Sequence, residues 1–261
     1  MNIIEKNLKK IPFNNSIAIN FFKRKDLYTL FNKKYNNVYH PNLKDLYFIY
    51  KIITLSKRLN VLEFGCGFSS IIIRRALEDN KLKYKNINFE EMGFKNTFQH
   101  FILDDQIKYI KISKKRNSDY FKKNYIQQKF IFSGCEMTSF NNQVCTQYKK
   151  LPNIIPDFIY LDGPDLNKIQ GSVNGINISK NKDFTPMSCD ILKIENILLP
   201  GTIILIDGRG LNSSFLKNNF KRNWIYFYNV FSDQHFFYLN DDSVGNKNSK
   251  LIDFYDFNKV D

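Results

Sequence analysis

"VLEFGCGFSS", residues 61–70, is an apolar run that carries one carboxylate, Glu63, and breaks at Gly65 and Gly67 before two serines. Its first four residues read as a buried strand, the glycines as a sharp turn, and "SSIIIRRALEDN" (69–80) as a helix. Upstream, Leu43, Leu46, Tyr47, Tyr50 and Ile53 fall at helical spacing within 40–58, with Pro41 and Asn42 as the start. Downstream, the chain reads as strand 86–90, a short helix near 94–104, strand 107–112, strand 157–162, helix 184–200, strand 202–207 and helix 213–223. Two late strands, "WIYFYNV" and "QHFFYL", are separated by "FSD" (231–233), which makes them a hairpin.

Strands alternating with helices imply an α/β fold: a doubly wound, mostly parallel seven-stranded Rossmann-like sheet closed by a C-terminal antiparallel hairpin. The expected organisation is an N-terminal helical extension (1–55), one domain (56–240) interrupted by an insertion at 113–156, and a tail (241–261). At 261 residues, with 43% hydrophobic residues and 25 Phe, the chain can bury one sizeable core. No stretch approaches the roughly 20 apolar residues of a membrane span, and the start "MNIIEKNLKK" lacks a signal-peptide core, so a cytoplasmic protein is expected. Four scattered cysteines argue against a zinc knuckle or a disulfide framework.

In an open parallel sheet, ligands bind beyond the carboxyl ends of the strands, where strand order reverses, and the first strand flanks that point. Gly65 and Gly67 let the backbone turn there and approach a ligand. A dinucleotide motif would place Gly or Ala where Ser70 stands, and Glu63 would repel a pyrophosphate. The sulfonium and amino group of S-adenosylmethionine carry positive charge, which Glu63 attracts.

With those residues in view, "VLEFGCG" followed by an acidic end to the second strand resembles the E-x-G-x-G signature of class I S-adenosylmethionine-dependent methyltransferases. "PDFIYLDGPD", "LLPGTIILIDGR" and "DQHFFYL" also look like a group of uncharacterised bacterial methyltransferase-like proteins. The resemblance spans about residues 55–240. It implies that Glu63, Gly65 and Gly67 line the methionine end of the cofactor, with Ser69 and Asp162 nearby, and that Glu90 accepts hydrogen bonds from the ribose, Glu91 being its neighbour.

Chemistry is expected after the fourth and fifth strands, at "LDGPD" (161–165) and "IDGRG" (206–210). A partial likeness to catechol-type O-methyltransferases makes Asp162 and Asp207 candidate ligands for Mg²⁺, although Gly208 and Asp165 depart from that pattern. A metal-free route needs a general base, for which Asp162, Asp207 and His235 are candidates; His40 and His100 read as structural. Arg209 and Asp165 are candidate contacts to the acceptor, a small molecule or a saccharide, and the loop 163–183 beside them carries Gly171, Gly175 and many hydrogen-bonding side chains.

The net charge of +14 opens a second reading, a nucleic-acid binder or RNA methyltransferase. The stretch 113–130 carries six Lys and Arg against Asp119, a net +5, with Tyr120, Phe121 and Tyr125 available to stack on bases. Against it stand the absence of an N-P-P-Y or D-P-P-Y turn after the fourth strand and a lysine-rich, alanine-poor composition of the kind an A- and T-rich coding sequence produces. A third reading keeps the fold as a non-catalytic scaffold.

Overall fold

The computed structural model describes residues 8–32, 40–180, 183, 185 and 187–255. Parts of the expected extension (1–7 and 33–39), of the helix 184–200 (184 and 186) and of the tail (256–261) lie outside these.

Three helices, α1 (Asn15–Arg24), α2 (Tyr28–Asn32) and α3 (Leu43–Leu55), lead to strand β1 (Asn60–Phe64) and helix α4 (Ser69–Lys83). Asn14 and Asn42 start α1 and α3 by accepting backbone N–H groups through their side chains. Then follow β2 (Gln99–Asp104), α5 (Ile107–Tyr120), β3 (Gln127–Phe132), a separate hairpin of β4 (Cys135–Phe140) and β5 (Gln143–Tyr148), and β6 (Phe158–Leu161). The chain continues through α6 (Asp190–Ile194), β7 (Ile203–Asp207), α7 (Gly210–Asn219), β8 (Trp224–Asn229), β9 (Gln234–Leu239) and α8 (Asn246–Tyr255).

The main sheet has seven strands in the order β3-β2-β1-β6-β7-β9-β8. All pairings are parallel except those of β9, which runs antiparallel to both β7 and β8. The fold is Rossmann-like. Strand order reverses between β1 and β6, so the ligand crevice of such a sheet opens at their carboxyl ends.

Side-chain alternation divides the core into two layers. Val61, Phe158, Tyr160, Ile203, Leu205 and Phe236 pack beneath α3 and α4. Leu62, Phe64, Ile159, Leu161, Ile206 and Phe237 face the β4–β5 hairpin, α6 and α7. Among the described residues no helix is long and apolar enough to cross a membrane.

Three expected elements exchange identities. Residues 86–90 are not a strand: Asn88 accepts the Glu90 N–H, a short 3₁₀ turn runs over Phe89–Met92, and Gly93 ends it at φ +91°. The second strand is instead "QHFILD" (99–104), where a helix was expected, and "IKYIKI", which alternates as a strand would, opens helix α5. The side of α5 turned inward is Ile110, Ser113, Arg116 and Asn117, at helical spacing but mostly polar, so hydrophobic periodicity does not reveal it. Ser113 Oγ donates to Gly67 O at 3.3 Å and the Arg116 guanidinium lies 4.2 Å from the centre of the Phe68 ring, which seats α5 against the glycine turn. Residues 113–132 therefore belong to the main fold, and what is inserted is the β4–β5 hairpin with its flanks.

Candidate active site

The registers of β1, β2, β6, β7 and β9 align one row of residues just beyond or at their carboxyl ends. Leu103, Phe64, Leu161 and Ile206 are paired across four adjacent strands, so the next residues, Asp104, Gly65, Asp162 and Asp207, form a rung on the α3–α4 face. Gln234, paired with Asp207, extends it. Three aspartates thus share one edge, with a glycine between the first two. Neighbouring strands lie about 4.8 Å apart, so Asp104 and Asp162 flank a gap of about 10 Å floored by Gly65.

Gly65 takes φ +88°, and a Cβ there would lie 3.0 Å from the backbone C and O of Asp162 and the N of Gly163. Its lack of a side chain is therefore required by the close crossing of two backbone turns. At Gly67 a Cβ would meet only Ser69 Oγ, at 3.7 Å, and this glycine does leave open space.

Glu63, one rung below, is fully buried. Ser69 Oγ donates to its Oε1 at 2.6 Å, and His100 Nε2 stands 2.8 Å from Oε2. Gln128 directs its amide nitrogen toward His100 Nδ1 because Arg74 Nη1 donates to its oxygen, which leaves Nε2 as the His100 donor. Glu63 and Ser69 thus brace the glycine turn from within, and Glu63 offers charge beneath the gap without reaching into it.

Glu90 stands elsewhere. It is exposed on the 3₁₀ turn that packs against α8, and the adjacent Phe89 meets Phe98 before the amino end of β2. Five residues of strand, roughly 17 Å, separate that end from the carboxyl edge. Asp104 is the acid that closes the second strand. Its Oδ2 accepts the Cys66 N–H at 2.9 Å and its Oδ1 the Gln106 N–H at 2.7 Å, and burial is the main cause that raises its pKa above the ordinary aspartate value. Asp105 follows; burial and the Asp104 charge push it up to about 6, and its Oδ2 is buried with no hydrogen-bond partner. The apolar run "HFIL" before Asp104 was the signal that finds these acids once it is read as a strand.

Across the gap, Asp162 is 52% exposed on its side chain. Desolvation pushes its carboxyl up to about 7, Arg209 pulls it down, and Asp207 and Glu63 add to the rise. Arg209 Nη2 donates to Asp162 O at 2.6 Å and Nη1 to Pro164 O at 3.3 Å, so the guanidinium ties the turn after β6 to the turn after β7 instead of standing free. Asp165 is likewise occupied, its two oxygens accepting from the Asn167 N–H and from Gln106 Nε2.

Asp207 accepts from Tyr160 O–H at 3.0 Å and from Gln234 Nε2 at 3.3 Å. Both oxygens are engaged by neutral donors, and among the described residues no group of three or more His, Cys, Asp or Glu side chains is arranged to hold a metal ion. The pair Asp162 and Asp207 does not fit Mg²⁺. His235 pairs with Ile206 in the other layer, its ring stacked on Tyr228, its Nδ1 2.9 Å from Tyr226 O–H and its Nε2 toward Gly210 of α7. Burial lowers its pKa, but the sheet separates it from the aspartate rung.

Asp45, at the start of α3, joins Asp207 from the helix layer. Burial, then the Asp207 charge, push it up to about 7 against the pull of Lys44, with Asp233 adding to the rise. No motif around Asp45 signals it in the sequence, because only packing brings α3 to the end of β7. Asp45, Asp162, Asp105 and, beneath the β4–β5 hairpin, Asp190 (about 6) all hold their protons longer folded than unfolded. Their stabilising contribution is complete below about pH 4 and lost as pH rises through 6 and 7. Asp162 contributes least because water reaches it. The ligand-free protein should therefore melt at a higher temperature at pH 5 than at pH 8, and Asp45→Asn should narrow that difference by stabilising the protein at pH 8. A melting temperature that climbs from pH 5 to 8 would contradict this.

In comparison with known proteins, the chain is similar to the crystal structure of the SAH-bound Podospora anserina methyltransferase PaMTH1, at 14% identity and a TM-score of 0.43, over 88% of this chain and 98% of that one. No family model matches the chain, and no curated protein matches it.

Proposed function

We propose that the protein is an S-adenosylmethionine-dependent methyltransferase that methylates oxygen on a small or saccharide-like acceptor. The observation that carries this reading is the rung Asp104–Gly65–Asp162–Asp207 at the point where strand order reverses. An acidic cleft with a glycine floor suits a ligand that is cationic at one end and rich in hydrogen-bond donors at the other. Asp105 Oδ2, buried without a donor, and the open space at Gly67 fit the same ligand.

When bound, the cofactor supplies a methyl group activated by a positive sulfur. The residues around it bind and orient. Asp104, held by two backbone N–H groups, keeps lone pairs for the ribose hydroxyls. Glu63 acts from below through its charge, Arg209 positions Asp162, and Asp162 at the open side takes the proton of the acceptor hydroxyl. A carboxylate whose pKa lies near 7 is suited to that task. The crowded aspartates disfavour anionic acceptors and favour neutral, hydroxyl-bearing ones.

Isothermal titration with S-adenosylmethionine tests the reading. Binding should tighten from pH 6 to pH 8 as Asp105 and Asp162 lose their protons. A folded protein that shows no heat of binding at millimolar cofactor would remove the proposal.

A further inference from the structure

A minority of the positive side chains among the described residues meet acids. Lys25 and Arg75 share Asp79, Arg74 pairs with Glu78, Lys149 with Glu136, Arg222 with Asp241 and Lys250 with Glu91. Helix α5 and the turn after it gather six exposed lysines close together in sequence. Lys108, Lys111, Lys114 and Lys115 are exposed and, at about 100° per residue, fall within an arc of about 120° on one side of the helix. Lys122 and Lys123, in the turn that follows, are exposed as well. Among the described residues none of these six forms an ion pair, and Asp119 is the one acid between 107 and 126.

We infer that this face of α5 and the turn 121–125 is a docking surface for the phosphate backbone of single-stranded nucleic acid. Lysines three and four residues apart lie about 5–6 Å from one another, so the row offers a line of point charges to a flexible polyanion. Tyr125, 49% exposed in the turn 121–125, offers a ring on which a base can stack. The other aromatic residues of the segment are already occupied. Tyr120 O–H donates to Lys25 O, and the Phe121 ring lies 3.9 Å beneath the Arg74 guanidinium. A lipid surface fits less well, because a membrane-bound helix needs an apolar face beside its cations. The buried side of α5 is committed to the protein, and Ile107 alone of its apolar residues is strongly exposed.

The inference is independent of methyl transfer. Fluorescence anisotropy of a labelled oligouridylate of about 20 nucleotides, titrated between about 50 and 200 mM salt, tests it. The logarithm of the affinity should fall with the logarithm of salt with a slope of about −3 to −4, as expected for five or so phosphate contacts on a single strand. K111E/K115E should weaken binding about tenfold or more and flatten that slope. K149E/K250E, the same charge change at lysines that already have partners, should alter affinity less than about twofold. Circular dichroism on both variants establishes that they fold, and S-adenosylmethionine titration of K111E/K115E reads the sheet-edge site separately. Three results would overturn the inference: no retention of the oligonucleotide at the lowest salt, an equal loss in the two double variants, or retention of phosphatidylserine vesicles through these lysines without competition from the oligonucleotide.

Discussion

Replacing Gly65 by alanine should destabilise the protein by about 2–5 kcal/mol, the sum of a left-handed backbone forced on a residue with a Cβ and an overpacked contact. The position takes φ +88°, and the added carbon would press at 3.0 Å on the carbonyl of Asp162 and the nitrogen of Gly163. Relief would part β1 from β6 or from β2, since the Asp162 N–H donates to Phe64 O at 2.9 Å and the Gly65 N–H to Leu103 O of β2 at 2.7 Å. Gly67→Ala is the control: its Cβ would meet a single side-chain oxygen at 3.7 Å, so the cost should stay within about 1 kcal/mol. Urea denaturation of both variants measures the contrast. Equal stability for G65A and wild type would show that the two turns do not cross as closely as described. For cofactor binding the order of importance should reverse, with G67A folded and weakened because its methyl group enters the open space of the cleft.

Asp104→Asn should lower affinity for S-adenosylmethionine by about 10- to 100-fold, the loss of charge-assisted hydrogen bonds worth about 1.5–3 kcal/mol. Two effects combine. An amide can accept only one of the two backbone N–H groups that Asp104 now satisfies, at Cys66 and at Gln106, so the glycine turn loosens. The negative charge that the proposed reading sets against the ribose disappears as well. Glu90→Gln, an exchange at an exposed carboxylate beside the amino edge, should leave affinity unchanged. Titration calorimetry on the two variants separates the two acids, and a larger loss at Glu90 than at Asp104 would place the ligand on the wrong side of the sheet for the proposed reaction.

The contrast between these acids shows where the sequence was legible. "VLEF" is buried on both faces, so its run of apolar residues announces a central parallel strand without tertiary help. The same holds for "FIYL" and "IILID", and the late pair of aromatic strands is announced by its short connection. Between 86 and 120 the signals mislead. "NINFE" has strand composition but sits outside the sheet, where Asn88 turns the chain, and "IKYIKI" alternates although its helix buries a serine, an arginine and an asparagine. One displaced strand shifts the acid assigned to its end from Asp104 to Glu90.

Local composition by itself determined that this chain folds as a Rossmann-like sheet with a glycine turn after its first strand and carboxylates after its fourth and fifth, because burial of whole strands leaves an apolar record in consecutive residues. Which acids stand together was decided only by tertiary structure. Asp45 reaches Asp207 from a helix more than 150 residues earlier in the chain, Glu63 is drawn inward by His100, and His235 is turned to the far side of the sheet by the register of β9. Strand register and helix packing set those relations, and both depend on contacts between residues far apart in sequence, which no local pattern encodes.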